Sequence, residues 1–362
     1  MFYHLIYPLN YYSIVFNVFK YITFRAMGAS VTAFLICIFA GPITIEWLSR
    51  LCITNATKRE HAQSIYKFYE HKGKIPTMGG ILIVASILIS CLLWGNFSNT
   101  FFNLSLVILV SFAVIGFLDD YIKLKSKSSK GLSARVKMNG QLVVSLLLAV
   151  YLFLDPEVSK TVFIPFFKSA SLYLGLGYIP FVILVLVGTS NALNITDGLD
   201  GLAIGCFVIA AGVFGLISYI AGRVDYALYL GIPYIHEAGE LSVFCAALVG
   251  AGVGFLWYNS YPATIMMGDT GSISLGGALG VVAILIKKEA ILLVVGGIFV
   301  WEALSVILQV FSFKNFGKRI FLMSPFHHHL QLKGWPESKV TIRLWIIAFI
   351  LALVGMSMLK LQ

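Results

Sequence analysis

The sequence predicts an all-α polytopic integral membrane protein with ten transmembrane helices, and two observations support this. Hydrophobic residues make up 59% of the 362 residues and charged residues only 12%, whereas soluble globular domains are about 25% charged. In addition, apolar runs long enough to cross about 30 Å of hydrocarbon as a helix recur along the chain. The ten runs cover residues 26–48, 79–97, 101–118, 138–154, 173–193, 200–221, 240–258, 270–286, 290–312 and 341–359.

Residues 1–25 are expected to form a separate N-terminal segment along the outer interface of the membrane. They are rich in aromatic residues and contain Pro8 and Asn10, but they lack the basic start and the small-residue cleavage site of a signal peptide. One further span within this segment is the alternative. Residues 26–362 then make up a single ten-helix transmembrane domain.

The distribution of positive charge predicts the orientation. Each of three loops, 49–78, 119–137 and 313–343, carries six lysines or arginines, so that together they hold 18 of the 26 in the chain. Loops rich in Lys and Arg stay on the cytoplasmic side. In a ten-helix chain all three loops fall on one side, which predicts that both termini lie outside and that the polar segments lie at the cytoplasmic ends of the helices.

Several other classes of site are not indicated. The five cysteines lack CxxC spacing, so neither a zinc site nor a disulfide framework is predicted. The sequence also contains no Walker phosphate loop and no dinucleotide-binding fingerprint after a strand. The chemistry must therefore come from the polar residues at the helix ends.

Asp269 lies in a polar stretch, 257–272, between two apolar runs. An ionisable residue at membrane depth is costly, so Asp269 must face water, protein or a cation. Gly268 and Gly271 allow the backbone to approach a ligand closely, and Ser272 can cap the following helix. The stretch fits a metal–phosphate site at a helix start about as well as an ordinary polar loop with a helix cap.

Asp119 and Asp120 follow the third apolar run, at a helix C-terminus where the helix dipole is already negative. Two adjacent acids at this position require a cation, which could be Mg²⁺ or Lys123 one turn later. For an isolated Asp-Asp pair a solvated helix end would be the better interpretation. Further acidic clusters on the same predicted membrane face favour a functional one.

Four polar residues, Asn191, Asn194, Asp197 and Asp200, recur at intervals of three, which places them on one side of a final helical turn. Amide and carboxylate groups in this arrangement suit the edge of a nucleobase and ribose hydroxyls. The two Asp-Gly dipeptides also indicate a turn, and a loop of Asx-turns is the less favoured alternative.

His327, His328 and His329 lie in the last predicted cytoplasmic loop. Three consecutive histidines cannot all ligate one metal ion without distorting the backbone, so a zinc site is not expected. The better interpretation is that one or two of the imidazoles donate hydrogen bonds to a diphosphate. The alternative is a surface cluster of histidines with no particular role.

The ninth apolar run carries a polar stripe of Glu302, Ser305 and Gln309. A carboxyl group in this position will not face acyl chains unless it is protonated. We therefore expect the stripe to face the helix bundle or a water-filled groove.

Acidic residues that could hold Mg²⁺, flanked by clustered lysines on the same face, are the components of a phosphoryl-transfer site. Mg²⁺ prefers one or two carboxylates together with substrate phosphates. Positioning and electrostatic stabilisation supply most of the catalysis in such reactions. An ion-coupled transporter, in which Glu302 and the aspartates carry protons, is the alternative from another class; its site would be expected nearer the membrane midplane.

Five segments in order, 76–80, 119–121, 194–201, 267–272 and 324–335, resemble the phospho-N-acetylmuramoyl-pentapeptide transferase family, bacterial enzymes that make lipid I. The resemblance covers nearly the whole chain after residue 25. The triple-histidine segment distinguishes this family from its relatives in the polyprenyl-phosphate N-acetylhexosamine-1-phosphate transferase superfamily. A relative that transfers N-acetylglucosamine-1-phosphate is the competing interpretation.

The resemblance implies a reaction and a location. UDP-MurNAc-pentapeptide and undecaprenyl phosphate would give undecaprenyl-diphospho-MurNAc-pentapeptide and UMP with Mg²⁺, in the bacterial cytoplasmic (inner) membrane and in contact with its lipid. No nucleic-acid partner is implied, and a homodimer is one oligomeric state left open. Either a direct displacement or a covalent phosphoryl-enzyme on an Asp is compatible with it.

The resemblance also implies roles for individual residues. Asp269 corresponds to the magnesium ligand, and Asp119, with Asp120 beside it, to the group that deprotonates or orients the lipid phosphate. The family's essential polar positions correspond to Lys74, Lys123, Lys137 and His327, and its inner-loop pair to Asn191 and Asp197. Nucleoside and diphosphate contacts correspond to Lys72, Thr77, Asn194, Asp200, Asn259, Ser272, Gln309 and His328.

Two positions depart from the family pattern. Met266 stands where the family usually has Phe, and Cys206 follows Gly205 where Pro is common. The first difference replaces a ring that could stack on uracil by a thioether, which can still pack against an aromatic ring.

Overall fold

The computed structural model describes residues 1–51, 75–126, 131–163 and 171–361. Within these ranges the chain is helical apart from one small hairpin and the connecting loops. The helices are α1 (Phe2–Leu5), α2 (Ile22–Arg50), α3 (Gly80–Trp94), α4 (Thr100–Lys125), α5 (Ala134–Leu154), α6 (Tyr178–Thr196), α7 (Leu202–Ala221), α8 (Val224–Leu230), α9 (Ala238–Asn259), α10 (Gly268–Leu285), α11 (Glu289–Val295), α12 (Gly297–Phe316), α13 (Phe326–Leu332) and α14 (Glu337–Ser357). Shorter 3-10 turns cover Tyr7–Tyr11, Ile14–Lys20, Gly175–Gly177 and Met358–Leu361.

Among the described residues, nine helices are long and apolar enough to cross a membrane. They are α2, α4, α5, α6, α7, α9, α10, α12 and α14. The second predicted run corresponds to α3, which is apolar but shorter, with 15 residues. The predicted number of ten spans stays a prediction, whereas the prediction of an all-α polytopic membrane protein is confirmed with one exception. The exception is an antiparallel hairpin that pairs β1 (Thr161–Phe163) with β2 (Ser171–Tyr173), with Val162 opposite Leu172.

Several helices extend past the apolar runs that predicted them. The apolar run 101–118 belongs to a helix, α4, that continues to Lys125, and α5 already begins at Ala134. Lys, Arg and Gln are good helix formers, so the loss of apolar character does not end a helix. As a result the polar residues at these ends stand on helices and not in loops.

The ninth predicted span, 290–312, is divided in two. The short α11 ends at Val295, and α12 begins at Gly297 after a break at Gly296. Glycine has a low helix propensity because it loses the most backbone freedom on folding, so adjacent glycines favour a break. The polar stripe that includes Glu302 therefore lies on α12.

The centre of the bundle is α10, which packs against α3, α4 and α6. Of the residues in the apolar stretch of α10, 89% are buried. This is the highest share among the membrane-length helices of the described ranges. Glycines make this close packing possible, as is common in membrane bundles. A β-carbon at Gly80 would lie 2.5 Å from the Cα of Gly271, and one at Gly116 would lie 2.6 Å from the carbonyl carbon of Asp269. The first turn of α10 is thus fixed against two neighbouring helices.

The N-terminal segment packs at the opposite end of the bundle, where α3 ends. The ring of Phe2 contacts that of Trp94 with centroids 5.0 Å apart. The guanidinium of Arg25, 1% exposed, lies over the Tyr3 ring and forms two hydrogen bonds, of 2.7 and 2.5 Å, to Glu240 of α9. These contacts join residues 1–25 to α2, α3 and α9.

Three consecutive ionisable residues, Lys287, Lys288 and Glu289, are buried where the turn after α10 leads into α11. Lys287 has a left-handed backbone with φ of +57° and donates to the Tyr178 hydroxyl at 2.5 Å. Burial lowers the pKa of Lys287 and of Lys288 to about 8 and raises the pKa of Glu289 to about 7. The folded protein therefore releases protons from both lysines at a lower pH than the unfolded chain does.

We predict that stability increases with pH between about pH 8 and about pH 10, by up to about 1.4 kcal/mol per pH unit for each lysine, because the unfolded chain binds more protons there. Lys288→Met should reduce this increase. The measurement is the thermal unfolding midpoint in detergent, followed by tryptophan fluorescence. The matched control is Lys20→Met at an exposed position, which should retain the full slope; an unchanged slope in Lys288→Met would contradict the prediction.

Candidate functional site

Three carboxylates from two helices converge where α10 begins. Asp119 and Asp120 lie near the end of α4, and Asp269 is the second residue of α10. One oxygen from each carboxylate lies within 4.8 Å of the others. The close approach of Gly116 to the backbone of Asp269 brings these two helix ends together. The structure thus brings Asp119, Asp120 and Asp269 together, whereas Asp197, at the end of α6, is not part of this group.

Two lysines neutralise most of this negative charge. The Lys123 ammonium lies 2.5 Å from Asp119 Oδ2, 3.7 Å from Asp120 Oδ1 and 2.8 Å from Asp269 Oδ2. Lys137, from the first turn of α5, also lies 2.8 Å from Asp269 Oδ2. Each salt bridge is partly shielded from solvent, because the acid side chains are between 4% and 18% exposed. The formal charge of the five groups is −1.

The other oxygen of Asp269 is held by α6. Asn194 donates from its amide to Asp269 Oδ1 at 2.9 Å and to Ser272 Oγ at 3.0 Å. The Ser272 hydroxyl in turn donates to the carbonyl of Gly268 at 3.0 Å. Four helices, α4, α5, α6 and α10, thus contribute side chains to this cluster, and the orientation of the Asp269 carboxylate is determined from three sides.

Asp120 has contacts of a different kind. Its Oδ2 accepts from the Thr270 backbone N–H at 2.8 Å and from the Thr270 hydroxyl at 2.7 Å, and its Oδ1 lies 3.3 Å from the Asp269 backbone nitrogen. A carboxylate at a helix N-terminus is stabilised by unpaired N–H groups and by the helix dipole. Asp120 therefore caps α10 from the neighbouring helix. Gly268 completes this turn with φ of +74°, a conformation that glycine adopts without steric cost.

The cluster fits a small divalent cation. Its donors are all carboxylate oxygens, which Mg²⁺ prefers, and Mg²⁺ commonly retains water or phosphate ligands in addition to one or two carboxylates. The Lys123 ammonium lies at the central position, within 3.7 Å of an oxygen from each acid. Of the three acids, Asp269 is the most exposed, at 18%, so its carboxylate is the one most accessible to an ion.

A short loop that includes Thr77 forms one wall beside the cluster. Met266 donates its backbone N–H to the Pro76 carbonyl at 2.9 Å, and Gly79 donates to the Met266 carbonyl at 2.9 Å. These backbone hydrogen bonds hold the half-buried Thr77 next to the start of α10. The predicted contacts Lys72 and Lys74 lie outside the described residues.

The histidine segment packs against the turn between α6 and α7. His327 is completely buried, and a β-carbon at Gly198 would lie 2.8 Å from His327 Cε1. The His327 and His328 rings have centroids 4.2 Å apart, and His328 Nδ1 lies 2.9 Å from Gln331 Oε1. The histidines are therefore not a surface cluster: His327 contacts the turn that follows Asp197, which itself ends α6 one turn after Asn194.

Comparison with known proteins identifies the family. A profile described as glycosyl transferase family 4 matches residues 101–287, a range that contains all three aspartates of the cluster. The chain is 51% identical to a phospho-N-acetylmuramoyl-pentapeptide-transferase from a Geobacter species, and the alignment covers 100% of both chains. Proteins of the same name from Desulfatibacillum aliphaticivorans and Desulfotalea psychrophila are 52% and 48% identical, again over 100% of each chain.

The chain belongs to the phospho-N-acetylmuramoyl-pentapeptide transferase family. The family resemblance seen in the sequence is thus confirmed. Together with the nine membrane-length helices of the described ranges, membership makes the chain a multi-pass protein of the bacterial cytoplasmic membrane. The alternative of an ion-coupled transporter is not supported, since the family consists of transferases.

In this phospho-N-acetylmuramoyl-pentapeptide transferase family member, some predicted substrate contacts bind the protein's own backbone. Asp200 Oδ2 accepts from the Ala263 N–H at 3.0 Å. The Asn259 side chain accepts from the Gly201 N–H at 3.1 Å and donates to the Ile265 carbonyl at 2.8 Å. Both residues are 2% exposed. They join the loop after α9 to the turn before α7, and their predicted roles as substrate contacts remain predictions.

Gln309 and Asn191 are also engaged within the protein. Gln309 Oε1 accepts from the Phe321 N–H at 2.9 Å, while its amide donates to the Phe321 carbonyl at 2.9 Å. The Asn191 amide donates to Gln141 Oε1 on α5 at 2.8 Å. The contacts of Gln309 hold the loop that precedes the histidine segment, and those of Asn191 join α5 to α6. Substrate binding by these two residues likewise remains a prediction.

Sequence reasoning missed Gln141, which is completely buried and links α5 to α6 through Asn191 and Ser190. The available signal was a Gln within a predicted span, because polar groups inside a membrane bundle are normally paired across helices. Asp120, which the resemblance places beside Asp119 in the reaction, accepts hydrogen bonds from Thr270 as a helix cap does, and its catalytic role remains a prediction.

We predict that Asp120→Ala lowers the free energy of unfolding by about 1–3 kcal/mol, because it leaves the N–H and hydroxyl of Thr270 buried without an acceptor. Asp120→Asn should lower the free energy of unfolding by a smaller amount, because its amide oxygen can still accept one of these hydrogen bonds. Thermal unfolding in detergent measures both. Equal stability of Asp120→Ala and the unmodified protein would show that Asp120 does not cap α10.

Proposed function

We propose that the cluster of Asp119, Asp269, Lys123 and Lys137 is the active centre at which this transferase makes lipid I. The family's reaction transfers phospho-MurNAc-pentapeptide from UDP-MurNAc-pentapeptide to undecaprenyl phosphate and releases UMP. The main support for this proposal is that three carboxylates and two ammonium groups, from three different helices, lie close together. Phosphoryl transfer requires little from a protein beyond such positioned charges.

In chemical terms one P–O bond is exchanged for another. An oxygen of undecaprenyl phosphate forms a bond to the phosphorus that carries MurNAc, and the bond from this phosphorus to the bridging oxygen of the diphosphate breaks. UMP leaves with the electron pair of that bond. The protein must therefore bring two phosphates with like charge together and stabilise the charge that builds up on the leaving UMP.

Mg²⁺ is the cofactor that the donor set favours, and Asp269 would hold it. When bound, the ion would neutralise negative charge on the diphosphate. Asn194 orients the Asp269 carboxylate through a hydrogen bond to Oδ1 at 2.9 Å. A carboxylate that is hydrogen-bonded on one oxygen presents the other in a defined direction, which lowers the cost of organising the site.

Asp119 would orient the attacking lipid phosphate or accept its proton. It is 3% exposed and its Oδ1 accepts from the Leu132 N–H at 2.8 Å, so its position is well defined. Lys123 and Lys137 reach the same carboxylate of Asp269. Because their ammonium groups lie beside the acids, both lysines would also be able to contact the phosphates of the substrates. Lysine is suited to this because its ammonium is a compact charge on a flexible stem.

His327 and the end of α6 would bind the nucleotide part of the substrate. Asp197 and Asn191 lie on or just after α6, whose Asn194 also contacts the acid cluster. His327 lies against the Gly198 turn on the other side. Asp197 and His327 thus lie near the same helix end, where both could contact a nucleoside diphosphate.

We also propose the orientation of the protein. With ten spans, α3 included, and both termini outside, the acid cluster would lie at the cytoplasmic face, next to loops that contain most of the lysines and arginines. A soluble nucleotide could then reach it from the cytoplasm and a polyprenyl phosphate from the bilayer. Residues 1–25 would lie at the outer interface, residues 26–362 would form the catalytic domain, and a homodimer is the oligomeric state we propose to test.

Asp269→Asn should lower the rate of UMP release by more than about 100-fold, because a neutral amide oxygen binds a hard divalent cation much more weakly than a carboxylate does. The assay uses radiolabelled UDP-MurNAc-pentapeptide and undecaprenyl phosphate with purified protein, with and without Mg²⁺. The unmodified protein should require Mg²⁺. Asp225→Asn, at an exposed site on α8, is the matched control and should keep full activity.

Near-normal turnover by Asp269→Asn would show that Asp269 is not a required metal ligand. Activity of the unmodified protein in the presence of a chelator would show that the reaction does not need Mg²⁺. The thermal unfolding midpoint of each variant separates a loss of chemistry from a loss of fold.

Asp119→Ala should reduce kcat strongly and leave nucleotide affinity within a few-fold of normal, because the residue is proposed to act on the lipid phosphate and not on the sugar nucleotide. Equilibrium binding of UDP-MurNAc-pentapeptide and turnover are measured on the same preparation. A loss of affinity as large as the loss of rate would assign Asp119 to nucleotide binding instead.

A further inference from the structure

Glu302 on α12 is completely buried within a membrane-length helix. A carboxyl group in this environment is costly and normally has a specific partner. Its carboxylate oxygens lie 3.2 and 3.3 Å from the His327 backbone nitrogen, and Oε2 lies 3.2 Å from His327 Nδ1. In the described part of the chain, no lysine or arginine forms an ion pair with it. The His327 ring is therefore the side chain that faces this carboxylate.

The His327 ring lies between Glu302 and the turn after α6. Its Nδ1 side faces Glu302, while its Nε2 side faces Gly198, where any β-carbon would overlap the ring. Neither ring nitrogen has a hydrogen bond of good geometry to the described residues, although both atoms are buried. A buried imidazole nitrogen of this kind needs a polar partner. The Nε2 atom therefore faces the segment that carries Asp197 with its hydrogen-bonding capacity unused by the described residues.

A carboxylate next to one nitrogen of an imidazole ring affects whether each of the two ring nitrogens carries a proton. It favours a proton on Nδ1 and favours the charged imidazolium over the neutral ring. Such a carboxylate–imidazole pair orients the ring and sets which nitrogen is protonated, as in catalytic triads and metal sites. Other titratable groups near the pair are His328, whose ring lies 4.2 Å from that of His327, Asp197 at the facing turn, and Cys206 on α7.

We propose that Glu302 is a positioning residue for His327: it turns Nδ1 towards α12, presents Nε2 to the turn at Asp197 and Gly198, and sets the protonation of the ring that contacts the anionic diphosphate of the sugar nucleotide. This inference rests on the proposed role of His327 in substrate binding. It gives the polar stripe on α12 a function, and it explains why the loop before α13 is held so firmly to α12.

The test is a double-mutant cycle between Glu302→Gln and His327→Gln, measured as kcat and KM for UDP-MurNAc-pentapeptide. Gln at position 302 keeps an oxygen that can accept from the His327 N–H but removes the charge. We expect Glu302→Gln alone to lower kcat by about 10–100-fold, the range seen for residues that orient a functional group. In the His327→Gln background it should cause little further loss, because residues that act through one another are not additive.

The pH dependence of kcat distinguishes positioning from simple structural support. Glu302→Gln removes the charge that faces His327 Nδ1, so the pH profile of kcat should differ from that of the unmodified protein. Glu302→Asp, which keeps the charge, should restore part of the rate. Ser305→Ala is the matched control: it is also completely buried on α12, and its hydroxyl donates to the Glu302 carbonyl at 2.7 Å. It should leave the pH profile unchanged.

Additive losses in the cycle, or an unchanged pH profile in Glu302→Gln, would overturn the inference. A His327→Gln variant with normal turnover would do so too. If instead the proposed active centre is wrong, Asp269→Asn will show normal turnover, which is a different result. Thermal unfolding of every variant shows whether α13 and its loop remain folded.

Discussion

The structure depends on the neutralisation of three carboxylates at the ends of membrane helices. Removing a charge from water costs several kcal/mol unless opposite charges and hydrogen bonds replace the solvent. Here Lys123 reaches all three acids and Lys137 reaches one of them. The same ammonium groups that stabilise the acids are the groups that could contact phosphates, so the folded state already holds the charges that phosphoryl transfer requires.

Close packing of backbones brings these charges together. The start of α10 lies directly against Gly80 and Gly116, where larger side chains would overlap its backbone. Asp120 then fixes this helix start from α4 by accepting from Thr270. The orientation of Asp269 is therefore a consequence of helix packing and helix capping, and the conformational entropy of its side chain is already reduced before a substrate binds.

Around this cluster, polar side chains hold the loops in place. Asp200, Asn259 and Gln309 all bind backbone groups of loops near the helix ends. Loops at a membrane surface expose backbone groups that must be satisfied. The network makes the surroundings of the cluster rigid without using its carboxylates, and Glu302 extends the same pattern to the histidine segment.

The sequence by itself determined the class of the protein, the approximate positions of its apolar helices and, through the family resemblance, the assignment of Asp119 and Asp269 to one reaction. These properties follow directly from the lengths of the apolar runs, the distribution of charge and the order of the motifs. Only the tertiary structure decided that Lys123 lies between the acids, that Asp120 caps α10, and that Glu302 faces His327. Each of these contacts joins residues whose distance depends on how two helices cross, and a linear pattern of polar and apolar residues does not contain that distance.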